Sequence, residues 1–269
     1  MADHELYLDL LKRCLTGYLF PDSSNQEVHP DRNMPATRRW VFRWLKKSGY
    51  KVFKVVPFDR EARENGRDWP SIGYSMVGLK RLDHLQMCIQ TVVAEGVPGD
   101  LLEAGVWRGG SCIFMRAVLK LLGVTDRKVW VADSFQGLPR PSLEADADYD
   151  LSEYDILAVS QEEVEANFAR FGMLDGQVKF LKGWFKDTLA KADVSRLSIL
   201  RLDGDLYEST TDILNGLYHK VSAGGFVIVD DYGMVAPCKQ AIHDFRERKA
   251  IQDTIVDIDG SAVYWRKSG

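Results

Sequence analysis

The sequence predicts an α/β fold built on a mostly parallel sheet. From residue 100 to residue 249, short apolar runs rich in branched residues alternate with amphipathic stretches of helical period. Such alternation is typical of a parallel sheet with helices on both faces. Near the C-terminus, the runs 254–257 and 262–265 flank Asp259-Gly260, a strong hairpin turn signal. We therefore expect a last strand that runs antiparallel to its neighbours.

The individual helices and strands are predicted from hydrophobic periodicity, from helix-capping residues and from glycine and proline. Strands are predicted near 100–105, 128–133, 177–181, 197–203 and 225–230, and helices near 110–122, 161–170, 185–191, 208–219 and 237–249. A further helix is predicted from an N-cap at Ser75 to a stop at Gly96. Upstream we expect helices over 5–19 and 37–48, a loop over 20–35 and an extended run over 51–58. The chain then divides into an N-terminal helical segment, 1–74, and a core domain, 75–269.

Composition excludes several classes of protein. The 269 residues carry a net charge of −4, which offers no basic surface for nucleic acid. No apolar run approaches the ~20 residues that span a bilayer, and the start lacks a secretory signal pattern. The four cysteines are far apart with no CxxC pair, which favours free thiols in a reducing compartment. We expect a cytoplasmic protein with no nucleic-acid or membrane partner.

Acidic residues follow two of the predicted strands directly. Asp203 closes the apolar run 197–202, and Asp230 and Asp231 close the run 225–229. Ligands of open α/β sheets bind outside the carboxyl ends of the strands, and a hard divalent cation would relieve the repulsion among three carboxylates there. Asp230 follows Asp203 by 27 positions, a separation that suits a strand, a helix and a strand and places the two clusters on adjacent strands. An exposed turn is the alternative; the five histidines show no metal spacing.

The first predicted strand ends in a turn suited to a ligand. Glu103 and Gly105 are followed by 106–111, which is rich in glycine and ends at Ser111. Glycine lets the backbone approach a ligand, and the following helix offers free N–H groups. The G-x-G-x-x-G fingerprint of dinucleotide sites is absent. Glu103 could pair with the ammonium of an amino-acid-like ligand, although a plain tight turn would give the same pattern.

Two later strand ends add to this picture. Asp133 ends the second strand, where an acid can bridge the hydroxyls of a ribose. Its alternative role is turn capping together with Ser134. Gly183, Trp184 and Phe185 follow the third strand, where the aromatic rings could pack against an adenine or belong to the core. Together with Glu103, these residues favour a cofactor that carries a nucleoside.

A long interval without a strong periodic pattern separates the second strand from the next helix. Residues 136–160 contain two prolines and an acidic stretch. Loops of this length inside a compact domain are usually lids, binding loops or disordered. Because the interval begins at a strand end, we expect it to lie over the edge of the sheet as a lid.

Several long motifs resemble the macrocin O-methyltransferase family. They are Gly105-Val106-Trp107-Arg108-Gly109-Gly110, Asp133-Ser134-Phe135-Gln136-Gly137, Gly183-Trp184-Phe185-Lys186-Asp187, Asp203-Gly204-Asp205-Leu206-Tyr207-Glu208-Ser209-Thr210 and Val229-Asp230-Asp231-Tyr232. The likeness runs from about Gly66 to the C-terminus, and Leu6-Tyr7-Leu8-Asp9-Leu10-Leu11 also fits the family. It implies a Rossmann-like class I methyltransferase fold with a seven-stranded sheet, which uses S-adenosylmethionine to methylate a hydroxyl of a natural product, such as a deoxysugar on an antibiotic.

The resemblance also implies roles for residues. It implies Mg²⁺ bound by Asp203, Asp230 and Asp231, with Asp203 as the general base as well. Ser75 and Met76, together with Glu103, match positions near the methionine end of the cofactor, and Asp133 matches the ribose-binding acid. Family members are typically homodimers or higher homo-oligomers.

One stretch departs from the family pattern. Residues 35–58 look like an insertion relative to compact antibiotic-sugar members, in a region that helps to build the acceptor pocket. This leaves open a polyketide or peptide intermediate, free or held on a carrier protein, as the acceptor. Other classes of function also remain at this point. They are a nicotinamide oxidoreductase, a metal-dependent hydrolase and a non-catalytic cofactor-binding module on the same fold.

Overall fold

The computed structural model describes residues 2–20, 24–28, 34–50, 52–152 and 154–269. The strands are β1 (Ser24–Glu27), β2 (Phe53–Val56), β3 (Asp100–Ala104), β4 (Val129–Asp133), β5 (Val178–Lys182), β6 (Leu197–Leu202), β7 (Val221–Val229), β8 (Val256–Asp257) and β9 (Val263–Arg266). The helices are α1 (Ala2–Leu15), α2 (Ala36–Lys47), α3 (Arg60–Glu64), α4 (Leu79–Ala94), α5 (Gly110–Leu121), α6 (Gln161–Arg170), α7 (Phe185–Thr188), α8 (Tyr207–Leu217) and α9 (Ala236–Arg248).

A seven-stranded sheet of order β5-β4-β3-β6-β7-β9-β8 organises the part of the chain that the structure describes. Strands β3 to β7 run parallel, and β9 pairs antiparallel with β7, so the predicted parallel sheet and its antiparallel hairpin strand are confirmed. Successive side chains of β6 pack into two separate hydrophobic cores, Ile199 on one face of the sheet and Leu200 on the other. Helices α1, α4, α5 and α6 cover the first face, and α8 and α9 cover the second.

The predicted start of the helix after Ser75 was wrong. Helix α4 begins at Leu79 with Gly78 as its N-cap, and the Ser75 hydroxyl instead accepts a hydrogen bond from the Val77 N–H at 3.1 Å. The backbone of Gly78 packs directly on Gly66, since a Cβ added at Gly78 would lie 2.2 Å from the Gly66 nitrogen. This close contact holds 75–78 in a non-helical conformation that keeps Ser75 at the strand ends.

Two further boundaries differ from prediction. The expected loop 20–35 contains β1, which pairs antiparallel with β2 inside the predicted extended run 51–58. Residues 21–23 and 29–33 of that loop lie outside the described residues. Strand β7 begins at Val221, four residues before its apolar run. The four cysteines are free thiols, as predicted, and none of the described helices is long and apolar enough to cross a membrane.

Candidate active site

A cavity of about 510 Å³ lies at the carboxyl ends of β3, β4, β6 and β7. The predicted metal ligands Asp203, Asp230 and Asp231 line one end of it. The predicted cofactor residues that line it are Ser75, Met76, Gly105, Ser111, Asp133, Ser134, Trp184 and Phe185. The lid segment, residues 136–160, contributes Leu138, Arg140, Leu151 and Leu157 among others. The structure therefore brings both predicted clusters, and part of the long segment, into the lining of one cavity.

The backbone at the start of the glycine turn, residues 105–110, packs directly against the backbone of Asp203. Gly105 has a φ of +89°, and a Cβ added there would lie 1.7 Å from the carbonyl oxygen of Asp203. The Asp203 N–H donates to the Ala104 carbonyl at 2.9 Å. A side chain at position 105 is therefore excluded by main-chain atoms as well as disfavoured by the backbone angle.

Asp133 ends β4 and accepts hydrogen bonds from main-chain N–H groups. Its Oδ2 accepts from Val106 at 2.8 Å, and its Oδ1 accepts from Phe135 at 2.7 Å. Burial raises the pKa of this carboxyl despite those bonds. Ser134 caps the same turn, since its hydroxyl donates to the Gly137 carbonyl at 2.8 Å. The capping role is realised, and because a carboxylate has about four lone-pair sites, Asp133 retains acceptor capacity on the cavity side.

Two predicted cofactor residues do not line the cavity. Glu103 is fully buried beneath it, where its carboxylate accepts from the Ser111 hydroxyl at 2.6 Å, from the Cys112 thiol at 2.8 Å and from the Arg201 guanidinium. Glu103 therefore lies behind the lining, and a direct contact between its carboxylate and a ligand stays a prediction. Gly183 lies in the turn before α7 with a φ of +137° and also stays behind the lining.

Arg201 connects three strand ends beneath the cavity. Its side chain is 2% exposed and pairs with Glu103 on β3, with Asp203 after β6 at 2.9 Å and with Asp230 after β7. Our sequence reasoning gave this residue no role. The signal was present, since Arg201 is the one charged residue in the apolar run 197–202 and a buried arginine needs carboxylate partners.

A second buried arginine reaches the same site from α4. Arg81 donates to Asp230 at 2.6 Å and to Asp259 at 2.7 Å, and all three side chains are buried. Asp259 lies in the hairpin turn before β9 and also accepts from the Ala262 N–H at 2.9 Å. Asp230 is therefore held between two guanidinium groups, each bound to a different oxygen.

The remaining acids carry charge that these arginines do not balance. Burial, together with neighbouring carboxylates, raises the pKa of Asp203 and of Asp231 well above the usual range, although Arg201 opposes the shift at Asp203. Burial and the charge of Asp230 raise the pKa of Asp205 to about 6. The Asp205 N–H donates to Asp231 at 3.1 Å. Asp205 was given no role from sequence, although it follows Asp203 by two residues.

The acid cluster, Asp203, Asp205, Asp230 and Asp231, has the geometry of a cation site. Oxygens of Asp203, Asp230 and Asp231 all lie within 4.8 Å of one another. Carboxylate oxygens are the ligands of hard divalent cations, and a cation would favour the ionised form of carboxyls whose pKa burial has raised. The residues present therefore fit a divalent metal ion.

The sheet order and the position of the cavity define a Rossmann-like class I methyltransferase. The family model for macrocin O-methyltransferase (TylF) matches residues 4–267, and the chain belongs to this family. It is therefore an O-methyltransferase of natural-product biosynthesis. This excludes the three alternatives left open by the sequence, which were an oxidoreductase, a hydrolase and a non-catalytic module.

Several relatives are similar in sequence to this protein along almost the whole chain. An 8-demethyl-8-(2,3-dimethoxy-alpha-L-rhamnosyl)-tetracenomycin-C 4'-O-methyltransferase from Streptomyces olivaceus is 51% identical over 97% of this chain and 92% of its own length. Mycinamicin III 3''-O-methyltransferase from Micromonospora griseorubida is 44% identical over 98% and 97%. The solved structure of the O-methyltransferase NovP superposes with a TM-score of 0.86 at 43% identity, covering 99% of this chain and all of that one.

Proposed function

We propose that this enzyme transfers the methyl group of S-adenosylmethionine to a sugar hydroxyl of a glycosylated natural product, with Mg²⁺ bound by Asp203, Asp230 and Asp231. One observation carries the proposal. A single cavity holds the glycine turn with Asp133 at one end and the acid cluster at the other. The same cavity could therefore hold a nucleoside cofactor and, beside the acid cluster, the hydroxyl of an acceptor.

The two absent groups supply complementary chemistry. S-adenosylmethionine supplies an electrophilic methyl group, and Mg²⁺ supplies positive charge that lowers the pKa of a coordinated hydroxyl. Asp203 is the group of this chain best placed to take the hydroxyl proton. It lines the cavity, and Arg201 binds only its Oδ2. Burial and neighbouring carboxylates raise the pKa of Asp203, and a bound cation would favour its ionised form, which is the form that accepts a proton.

The surrounding residues orient the reactants and exclude water. Arg201 and Arg81 fix the carboxylate of Asp230, and Trp184 offers a face for an adenine ring. The lid segment contributes residues to the cavity lining, and as a lid it would limit access of water to the reactants. Alignment of this kind supplies much of the rate in reactions between two bound partners.

The names of the relatives support a sugar acceptor. One of them carries a rhamnosyl group in its substrate name, and a third relative, from Streptomyces niveus, is a demethyldecarbamoylnovobiocin O-methyltransferase that is 45% identical over 99% of this chain. We therefore place a deoxysugar hydroxyl before the polyketide or peptide intermediate as the acceptor, and a free acceptor before a carrier-bound one.

Calorimetry followed by turnover assays tests this proposal. S-adenosylmethionine should bind the wild-type chain, and methylation of rhamnosylated acceptors should require Mg²⁺. Asp203→Asn should keep cofactor binding but lower kcat by about 10²- to 10⁴-fold, the range for general-base loss. Asp126→Asn, which removes an exposed acid from the turn after α5, is the matched control. Full turnover by Asp203→Asn with ordinary metal dependence would exclude the base role, and absence of cofactor binding would exclude the proposal.

We further propose that the N-terminal segment forms a contact between copies of the chain. Of the 18 large hydrophobic side chains exposed among the described residues, 11 lie between Leu6 and Val55. Trp40 and Trp44 of α2 are 66% and 55% exposed, inside the stretch 35–58 that we propose as an insertion. Light scattering should show a homodimer or larger assembly, which Trp40→Glu with Trp44→Glu should weaken. A wild-type monomer would contradict this proposal.

A further inference from the structure

One acid of the lid segment is buried while its neighbours face solvent. Asp146 closes the short 3₁₀ turn Glu144–Asp146 and has no exposed surface. Its Oδ1 accepts from the Tyr207 N–H at 2.7 Å, and its Oδ2 accepts from the Glu208 N–H at 3.1 Å. A carboxylate buried in this way needs such partners, so this contact anchors the lid segment.

The partners of Asp146 are the first two N–H groups of α8. The residue before α8 is Leu206, which supplies no side-chain cap. The free N–H groups at a helix start favour an oxygen acceptor, and negative charge is favoured there. Asp146 therefore provides, from 61 residues upstream, the cap that α8 does not supply for itself.

The capped helix start holds the loop that carries the catalytic acids. Only Gly204, Asp205 and Leu206 separate Asp203 from α8. Asp205 has a φ of +53°, an uncommon value for a residue with a side chain, so the surrounding structure must hold it there. Its N–H also donates to Asp231. Fraying of the first turn of α8 would release this three-residue loop at its downstream end.

The other end of the lid segment is bound to the glycine turn. The indole Nε1 of Trp107 donates to the Ile156 carbonyl at 2.8 Å. Trp107 follows Gly105 by two residues and itself has a φ of +48°. Trp69, upstream of the core, contacts Tyr154 edge to face with ring centroids 5.5 Å apart. One segment thus touches both the turn proposed for the cofactor and the helix behind the acid cluster.

We propose that Asp146 is a positioning residue for methyl transfer. With the lid segment over the cavity, its carboxylate caps α8 and thereby fixes the loop from Asp203 to Leu206. Lid position is in this way coupled to the geometry of the acid cluster. The inference rests on the proposed function for its kinetic consequence, while the capping itself does not depend on the acceptor or on the metal.

Hydrogen exchange measured by mass spectrometry tests the capping directly. In Asp146→Ala, amides of 204–210 and of 137–152 should exchange about tenfold faster, the size of a lost N-cap, while amides of β3 and β6 stay protected. Asp146→Asn keeps a capping oxygen and should restore most of the protection. Glu144→Ala, which removes an exposed acid from the same turn, is the matched control and should change neither segment.

Kinetics then separate positioning from general destabilisation. Asp146→Ala should lower kcat about 10- to 100-fold, as expected when a reacting group is misplaced by up to ~1 Å. The Kd for S-adenosylhomocysteine should change by less than about threefold, since the cofactor residues stay in place. Asp146→Asn should recover most of kcat.

Three outcomes would overturn the inference. They are unchanged exchange over 204–210 in Asp146→Ala, faster exchange throughout the sheet, or a kcat equal to that of Glu144→Ala. A wild-type chain that neither binds the cofactor nor methylates any acceptor would contradict the proposed function instead, and the exchange experiment would still decide whether Asp146 caps α8.

Discussion

At the β4 end of the cavity, the carboxylate of Asp133 is held by main-chain N–H groups. At the β6–β7 end, Asp203 and Asp230 are held by the guanidinium groups of Arg201 and Arg81. The first arrangement adds no positive side chain, whereas the second sets two guanidinium groups among four carboxyl groups. Burial raises the pKa of carboxyls at both ends, but only at the second do neighbouring carboxylates of the same cluster add to the shift.

The two ends of the cavity therefore differ in what forms them, main-chain N–H groups at one end and charged side chains at the other. The Asp133 end is complete once the backbone turns have formed, so it is suited to a ligand recognised by shape and hydrogen bonds. The acid cluster, in our proposal, is completed by the positive charge of a bound Mg²⁺. We therefore expect mutations at the two ends to affect different measurements, and the following predictions run from the largest effect to the smallest.

Removal of the central arginine should have the largest effect. Arg201→Met leaves Glu103, Asp203 and Asp230 without their shared cation, and breaking a buried ion pair costs about 3–5 kcal/mol. Urea unfolding would measure this loss. Arg266→Met is the control, because Arg266 pairs with Glu95 where both side chains are roughly half exposed, and about 0–1 kcal/mol is expected. Equal losses in the two variants would remove the distinction between the buried network and a surface pair.

Metal removal should make stability depend on pH at the acid cluster. The folded pKa of Asp205 is about 6, raised by burial and by Asp230, and those of Asp203 and Asp231 are raised too. Between about pH 4 and these values, the unfolded chain has released protons that the folded chain retains, so stability falls as pH rises.

Thermal unfolding in a chelator should therefore show a Tm that falls by several degrees from about pH 5 to about pH 8. Mg²⁺ should raise Tm most at the upper end of this range, because it binds the ionised carboxyls. Asp231→Asn should flatten both responses. A wild-type Tm that rises with pH in the chelator, or that ignores Mg²⁺ at high pH, would contradict the assignment of this end of the cavity.

Substitution of Asp133, at the β4 end of the cavity, should weaken cofactor binding without affecting metal binding. Asp133→Asn removes a charged hydrogen-bond acceptor. The Kd for S-adenosylhomocysteine should therefore rise about tenfold or more. Affinity for Mg²⁺ should stay the same. Asp100→Asn is the matched control, since Asp100 also accepts a main-chain N–H but lies at the opposite edge of the sheet. A loss of metal affinity in Asp133→Asn would show that the two ends are not independent.

Trp184→Leu should have the smallest effect in this series. Loss of an aromatic face for the adenine corresponds to about a two- to tenfold weaker Kd for the cofactor. Trp40→Leu controls for the loss of an indole, because Trp40 is 66% exposed and does not line the cavity. Calorimetric titration would measure both variants, and identical Kd values would assign Trp184 to packing.

Sequence predicted those features that depend on local pattern. The apolar run 197–202 and the acids that follow it were visible because a buried parallel strand has few other sequence signatures. The partners of Arg201 were not visible, since they depend on the register that aligns Arg201 with Glu103 across β3 and β6. The pair Arg81–Asp259 joins residues 178 positions apart, which no local pattern specifies.

The wrong boundaries have similar causes. Ser75 has good capping chemistry, but the contact between Gly78 and Gly66 prevents a helix from starting there. Strand β1 reads Ser-Asn-Gln-Glu, which carries no apolar alternation and pairs only because β2 lies alongside. Asp146 could not be found as a cap for α8 because the two are brought together by the fold of the lid segment.

The main-chain contact at Gly105 has a consequence for altering this enzyme. Since even one methyl group at position 105 would overlap the Asp203 carbonyl, the distance between the glycine turn and Asp203 cannot be adjusted by substitution at position 105. Leu138, Leu151 and Met234 also line the cavity, and no such overlap confines these positions to glycine. Libraries that seek new acceptors should therefore vary these three positions and leave the glycine turn unchanged.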